Sequence, residues 1–181
     1  MTTGFVSRWK GKVMAVGASL CQFGAGAGQF GFSGNLSKQS SAAGVGNGAD
    51  STEDVLFSYS LPPNSLDQVG RQVMIEAWGS FANNTHSKHA QLYFGSELVD
   101  SGANTTAGGI GWYLLLIVTK TGPSTQTIVG QLIAGTVHGG CTVQSGAETD
   151  TSPITIKATG ASGSSAAGDI LCNALTVTAL N

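Results

Sequence analysis

The sequence predicts an all-β protein: a jelly-roll β-sandwich over residues 51–181, preceded by an extended, glycine-rich N-terminal arm over residues 1–50. Three observations predict it. Apolar residues after position 51 recur with period two, not 3.6. Short runs of Val, Ile, Thr and aromatic residues alternate with Gly, Pro, Asn and Ser turn signals. No window carries a sustained helical stripe.

The strands follow in order. Asp54 to Leu61 reads as a strand stopped by Pro62-Pro63-Asn64. Val73, Ile75, Ala77, Gly79 and Phe81 alternate with Met74, Glu76, Trp78 and Ser80, and Asn83-Asn84-Thr85 forms a turn. Ala90, Leu92 and Phe94 alternate with Gln91 and Tyr93 up to Gly95-Ser96, and residues 101–111 form a loop. Residues 112–118 make the next strand, Thr121-Gly122-Pro123-Ser124 a turn, and Gln126 to Ile133 another strand. Ile154, Ile156 and Ala158 alternate with Thr155 and Lys157, residues 160–168 form a loop, and Asp169 to Leu180 is the last strand. Seven or eight such strands suit a sandwich or jelly roll.

One strand is apolar on both sides: Trp112, Leu114, Leu116 and Val118 on one, Tyr113, Leu115 and Ile117 on the other. A sandwich strand facing water has one wet face. The second apolar face is expected to lie against a sister subunit, which makes Tyr113, Leu115 and Ile117 the candidate oligomer interface.

Residues 1–50 differ in composition. They carry four basic residues against one acidic, a balance of +3, whereas residues 51–181 carry four against nine, a balance of −5. Runs such as Gly24-Ala25-Gly26-Ala27-Gly28 lose much chain entropy on ordering and offer no side chain to bury. Phe5, Trp9, Phe23, Phe30 and Phe32 within them suit anchors on a neighbour's surface. The other reading is an N-terminal strand tucked against its own domain.

Only 10% of the 181 residues are charged, against roughly 25% in an average domain, and the net charge is −2. No basic surplus marks a nucleic-acid partner. No apolar run reaches the ~20 residues of a membrane helix. Arg8 to Cys21 resembles a signal peptide with a lipoprotein cysteine only in part, since Leu20 stands where a small residue is wanted, so secretion is not expected. Cys21, Cys141 and Cys172 are odd in number and widely spaced, as free thiols in a reducing compartment would be.

Motifs with chemistry are weak. Residues 26–31 match G-x-G-x-x-G without the strand before and helix after that a dinucleotide site needs. His86, His89, His138 and Cys141 have no zinc-finger spacing, and loop histidines are the ordinary reading. No G-x-S-x-G elbow singles out a serine. Glu53 and Asp54 are adjacent in a strand and point to opposite faces. Glu76 sits mid-strand and is expected on the solvent face. Trp78, Tyr93 and Trp112 are candidates for a sugar-stacking platform, with core or interface roles as the plainer reading. No catalytic residue, cofactor or metal is expected.

Several segments together carry a resemblance. They are Ser60-Leu61-Pro62-Pro63-Asn64-Ser65-Leu66, Val73 to Asn83, Lys88-His89-Ala90-Gln91-Leu92-Tyr93-Phe94-Gly95, Ile154 to Gly160, and Ala166-Ala167-Gly168-Asp169-Ile170. In this order, over residues 50–181, they resemble the small jelly-roll domains of tailed-bacteriophage virion surface proteins: capsid decoration or cement proteins and fibres. The resemblance implies a trimeric, non-enzymatic domain on a virion assembled in the host cytoplasm. It favours a cement protein clamping neighbouring shell subunits, with the major capsid protein or tail and portal proteins as partners. Arg8, Trp9, Lys10, Lys12, Phe23, Phe30 and Phe32 are then the anchoring residues of the arm. The alternative is a short tail or head fibre whose loops bind a host-surface glycan. A carbohydrate-binding module ranks third and a hydrolase last.

Overall fold

A computed structural model describes residues 33–100, 109–135, 137–138 and 141–180. They form eleven strands and no helix: β1 (Ser33–Gly46), β2 (Glu53–Leu61), β3 (Gln72–Phe81), β4 (Lys88–Phe94), β5 (Glu97–Asp100), β6 (Gly111–Gly122), β7 (Thr125–Ala134), β8 (Val137–His138), β9 (Thr142–Gly146), β10 (Ile154–Ser162) and β11 (Ile170–Leu180). The first sheet has the order β1-β11-β3-β6-β7-β8, with β9 also on β7; the second has the order β2-β10-β4-β5. Every pairing is antiparallel. The two sheets pack as a β-sandwich.

Alternation sets which side each strand buries. Val73, Ile75 and Ala77 of β3, Trp112, Leu114, Leu116 and Val118 of β6, Leu92 and Phe94 of β4, and Ile154, Ile156 and Ala158 of β10 all point into one core. A one-residue slip of any of these strands would turn its apolar set outward, so burial fixes the register. Pro62 follows β2 directly, and Asn64 takes a positive φ of 61° in the turn beyond it. Gly95, at φ 59°, makes the two-residue hairpin between β4 and β5. At Gly79 the backbone of β11 comes so close that a Cβ would run into the carbonyl oxygen of Leu171 and lie 2.8 Å from Trp112 Cζ2.

The strands expected from sequence are all present, with ends shifted by a few residues. Four were not expected. β5, β8 and β9 are four, two and five residues long, too short to display a period. β1 is rich in Gly and Ser, and only Leu36 and Val45 of its side chains rest against the core. It forms because β11 offers it a row of backbone partners, from Ser33↔Leu180 to Gly46↔Leu171, with a register shift between Ser40 and Val45.

The compositional boundary at residue 50 is therefore corrected. Residues 33–50 belong to the same compact unit as the rest of the described chain. Glycine and serine suit an edge strand held by main-chain hydrogen bonds as well as they suit an arm, so composition does not separate the two. The arm residues Phe5, Arg8, Trp9, Lys10, Lys12, Phe23, Phe30 and Phe32 lie outside the described residues, as does the glycine motif at 26–31.

Candidate functional site

The outer side of the first sheet is built by the residues that alternate with the core. On β6 these are Tyr113, Leu115 and Ile117, all half-buried. Cross-strand pairing lines them up with their neighbours. Ile117 lies opposite Met74 of β3 and Val129 of β7, and Val129 lies opposite Val143 of β9. Tyr113 lies opposite Trp78 and Ile133, and Leu115 opposite Glu76 and Gln131. Trp78 is 37% exposed and Val143 69%. No strand among the described residues covers this face.

Glu76 sits on this outer face, where alternation places it, but not as a free solvated carboxylate. Tyr113 Oη donates to its Oε1 at 2.6 Å. Burial raises the Tyr113 pKa well above the usual phenol range, and the hydrogen bond to the Glu76 carboxylate and its charge raise it further. The phenol stays a proton donor at any physiological pH.

The outer side of the second sheet is different. The positions opposite in parity to its core residues include Glu53, Ser58 and Ser60 on β2, Thr155, Lys157 and the buried Thr159 on β10, and His89, Gln91 and Tyr93 on β4; Val55, Ala161 and the half-buried Leu98 opposite Tyr93 are apolar. Lys157 Nζ lies 4.1 Å from the centre of the Tyr93 ring. Apolar side chains are thus concentrated on β3, β6, β7 and β9 on the outer side of the first sheet, interrupted by the polar row Lys38, Thr176, Glu76 and Gln131 that runs through Leu115, whereas polar side chains dominate the outer side of the second.

A second arrangement lies at the end of the sandwich where the β1–β2, β3–β4 and β10–β11 connections meet. Asp169, 2% exposed, accepts hydrogen bonds on Oδ1 from Asn84 Nδ2 at 2.6 Å and on Oδ2 from Ser162 Oγ at 2.8 Å; His86 Nδ1 lies 2.7 Å from Oδ2. Burial alone would raise the carboxyl pKa. The bonds from Asn84, Ser162 and His86 and the His86 charge outweigh burial and hold it below the usual range. Lys88 is fully buried and donates to the carbonyls of Asn84 and His86, each at 3.0 Å. Asn47 links the third connection, donating to Ala166 O and accepting from Ile170 N.

Ser162, His86 and Asp169 thus meet in space, but not as a hydrolytic triad. An activated serine donates to the imidazole nitrogen that will take its proton. Here Ser162 donates to the carboxylate, on the oxygen that His86 also approaches. The set fastens two loops together.

The other candidates scatter. Trp112 is 2% exposed in the core against Phe81, with ring centres 6.3 Å apart. Trp78 faces out from the first sheet and Tyr93 from the second, so the three aromatics form no common platform. His86 and His89 flank Lys88, while the side chain of His138 lies outside the described residues. Among the described residues, no group of three or more His, Cys, Asp or Glu side chains is placed to hold a metal ion.

Sequence reasoning missed the buried ionic groups. Lys88 and Asp169 secure one end of the sandwich. Lys120, 3% exposed, pairs with Asp150 Oδ2 at 3.0 Å at another site. The signal was parity. Lys88 continues the inward series Ala90, Leu92, Phe94, and Lys120 continues Trp112, Leu114, Leu116, Val118.

No known protein family matches the chain, and no curated protein or solved structure matches it.

Proposed function

We propose that this chain is a non-enzymatic structural protein of a phage virion, a homotrimeric decoration or cement protein whose subunits meet through the outer face of the first sheet. The apolar rows around Tyr113, Leu115 and Ile117 carry this reading. Full burial of a Leu or Ile is worth roughly 1.5–3 kcal/mol relative to exposure. These residues are already half-buried, so each has about half of that still to gain. Summed over the patch, the remaining gain is enough to drive association. The number three comes from the sequence resemblance.

The strand order supports the jelly-roll form of the sandwich. In a jelly roll two four-stranded sheets are threaded alternately by two Greek keys. The orders β1-β11-β3-β6 and β2-β10-β4-β5 follow that threading, with β7, β8 and β9 extending the first sheet.

Charge supports the division of labour. Two of the four cations in residues 51–181, Lys88 and Lys120, are buried, which leaves the surface of the sandwich dominated by carboxylates. The basic residues Arg8, Lys10 and Lys12, with Trp9, Phe23, Phe30 and Phe32, would engage an acidic shell surface, and the sandwich would project outward. Linking several weak contacts through one trimer gives the avidity a particle coat needs.

Copy number tests the assignment. Quantitative mass spectrometry of purified particles should find this chain in hundreds of copies. Tens of copies or fewer would move it to a tail or head fibre, and absence from particles would end the virion reading.

A further inference from the structure

We infer that the depression on the polar face, between the β3–β4 and β10–β11 connections, binds a polyhydroxylated ligand: a saccharide chain. This site is separate from the proposed subunit interface, which occupies the opposite side of the sandwich. The depression is open, with a volume of about 470 Å3, and polar groups of Ser51, Glu53, Ser87, His89 and Gln91 line it.

The lining selects the ligand chemistry. Glycines aside, Ala161 is the one lining side chain without a polar group, so the surface offers nothing to an apolar ligand. No Lys or Arg lines it and a carboxylate does, which disfavours phosphate, sulfate and acidic sugars. A sugar presents neighbouring hydroxyls that each donate and accept. Glu53 and Gln91 offer the matching set. Tyr93 Oη donates to Glu53 Oε2 at 3.0 Å, which holds the carboxylate in place and leaves Oε1 as an acceptor. Thr159 Oγ1 lies 3.5 Å from Gln91 Oε1, which leaves the amide nitrogen as a donor.

Spacing agrees. Glu53 pairs with Ala161, and Ala161 pairs with His89. Glu53 and His89 are thus two strand spacings apart, about 10 Å, with the small Ala161 between them. A hexose ring laid over that alanine would have the polar groups of Glu53 and His89 on either side.

The loops are also held ready. A weak polar ligand gains affinity when its site needs no ordering. Gly163 N donates to Ser87 O at 2.7 Å, and a Cβ at Gly163 would come within 2.9 Å of Ser87 Cβ, so the two connections touch through a glycine. Asp169 and Lys88 fasten the same connections from below. Buried ionic groups stabilise little compared with apolar packing, and here their effect is to fix the loops that frame the depression.

The test uses the full chain and a panel of neutral oligosaccharides ending in glucose, galactose, mannose, rhamnose or N-acetylglucosamine. Binding is read by ligand-observed NMR and calorimetry. At least one should bind with a Kd of ~0.1–1 mM, and Glu53→Ala and Gln91→Ala should each weaken it at least ~10-fold without changing the melting temperature or the mass of the assembly. Leu115→Lys should leave the affinity per chain unchanged. The inference is overturned if none of the panel binds at about 10 mM, or if binding survives both substitutions. A monomeric chain that still binds sugar would remove the trimer and leave this site standing.

Discussion

Tyr113 and Glu76 are joined by a 2.6 Å hydrogen bond from phenol to carboxylate, in the middle of the greasy side of the first sheet. A lone carboxylate there would oppose covering the face, because a buried acceptor without a donor costs ~1–3 kcal/mol. Tyr113 supplies the donor from within the same chain, so the pair can be covered together. Tyr113→Phe removes that donor and almost nothing else. In the separate chain water replaces the phenol, and the melting temperature at high dilution should barely move. In the assembly Glu76 is stranded, and the dissociation constant should rise by roughly 5- to 100-fold. Sedimentation measurements across a dilution series check this. Equal association of the two proteins would mean that Glu76 is not covered.

Asp169 makes stability depend on pH. Its folded pKa is lowered, so the unfolded chain takes up a proton first as pH falls. Its stabilisation is complete above the unfolded value of ~3.9 and fades as pH drops through the folded value. Asp169→Asn keeps the shape but gives Ser162, Asn84 and His86 a poorer acceptor, costing about 1–3 kcal/mol at pH 7. Melting curves from pH 7 down to pH 2.5 should show wild type and variant converging in the acid range. A constant gap would assign the stabilisation to packing alone.

Gly79 is the tightest point between β3 and β11. Gly79→Ala puts a methyl group into the Leu171 carbonyl and against the Trp112 ring. Overpacking of this kind costs at least ~1–3 kcal/mol, and the melting temperature should fall by roughly 5–10 °C. An unchanged melting temperature would mean that β11 bends away at its Cys172/Ala174 irregularity more easily than the register suggests.

The two described cysteines should differ in reactivity. Cys141 is exposed, whereas Cys172 is buried and its thiol pKa is pushed up to about 12 by desolvation. Thiolate is the reactive form. Alkylation of the native protein at neutral pH, followed by peptide mapping, should modify Cys141 and spare Cys172 until denaturant is added. Equal labelling would show the Cys172 region opening readily.

Much of the sandwich was legible because a strand with one buried side writes a period of two into its residues. Val73 to Phe81, Ala90 to Phe94 and Trp112 to Val118 did so plainly. β1 was not legible, because backbone pairing to β11 holds it and its side chains contribute little. The interface candidates could be named because Tyr113, Leu115 and Ile117 break the wet-face rule on a strand already apolar on its other side. Their apolar neighbours Met74, Trp78, Val129, Ile133 and Val143 needed the cross-strand register, which no local window contains. The buried Lys88, Lys120 and Asp169 were hidden by their charge: Lys88 is satisfied by the nearby carbonyls of Asn84 and His86, whereas Asp150, the partner of Lys120, and Asn84 and His86, partners of Asp169, lie on connections distant in sequence.

The outer face of the first sheet is proposed to be closed by other copies of this chain. Native mass spectrometry of the full chain beside Leu115→Lys tests that most directly. A charge at position 115 enters the centre of the proposed contact yet sits at a surface position of the separate chain, so folding should survive. The expected result is a trimer for the wild type and a folded monomer for the variant. A wild-type monomer at micromolar concentration, or a variant that assembles as the wild type does, would contradict it.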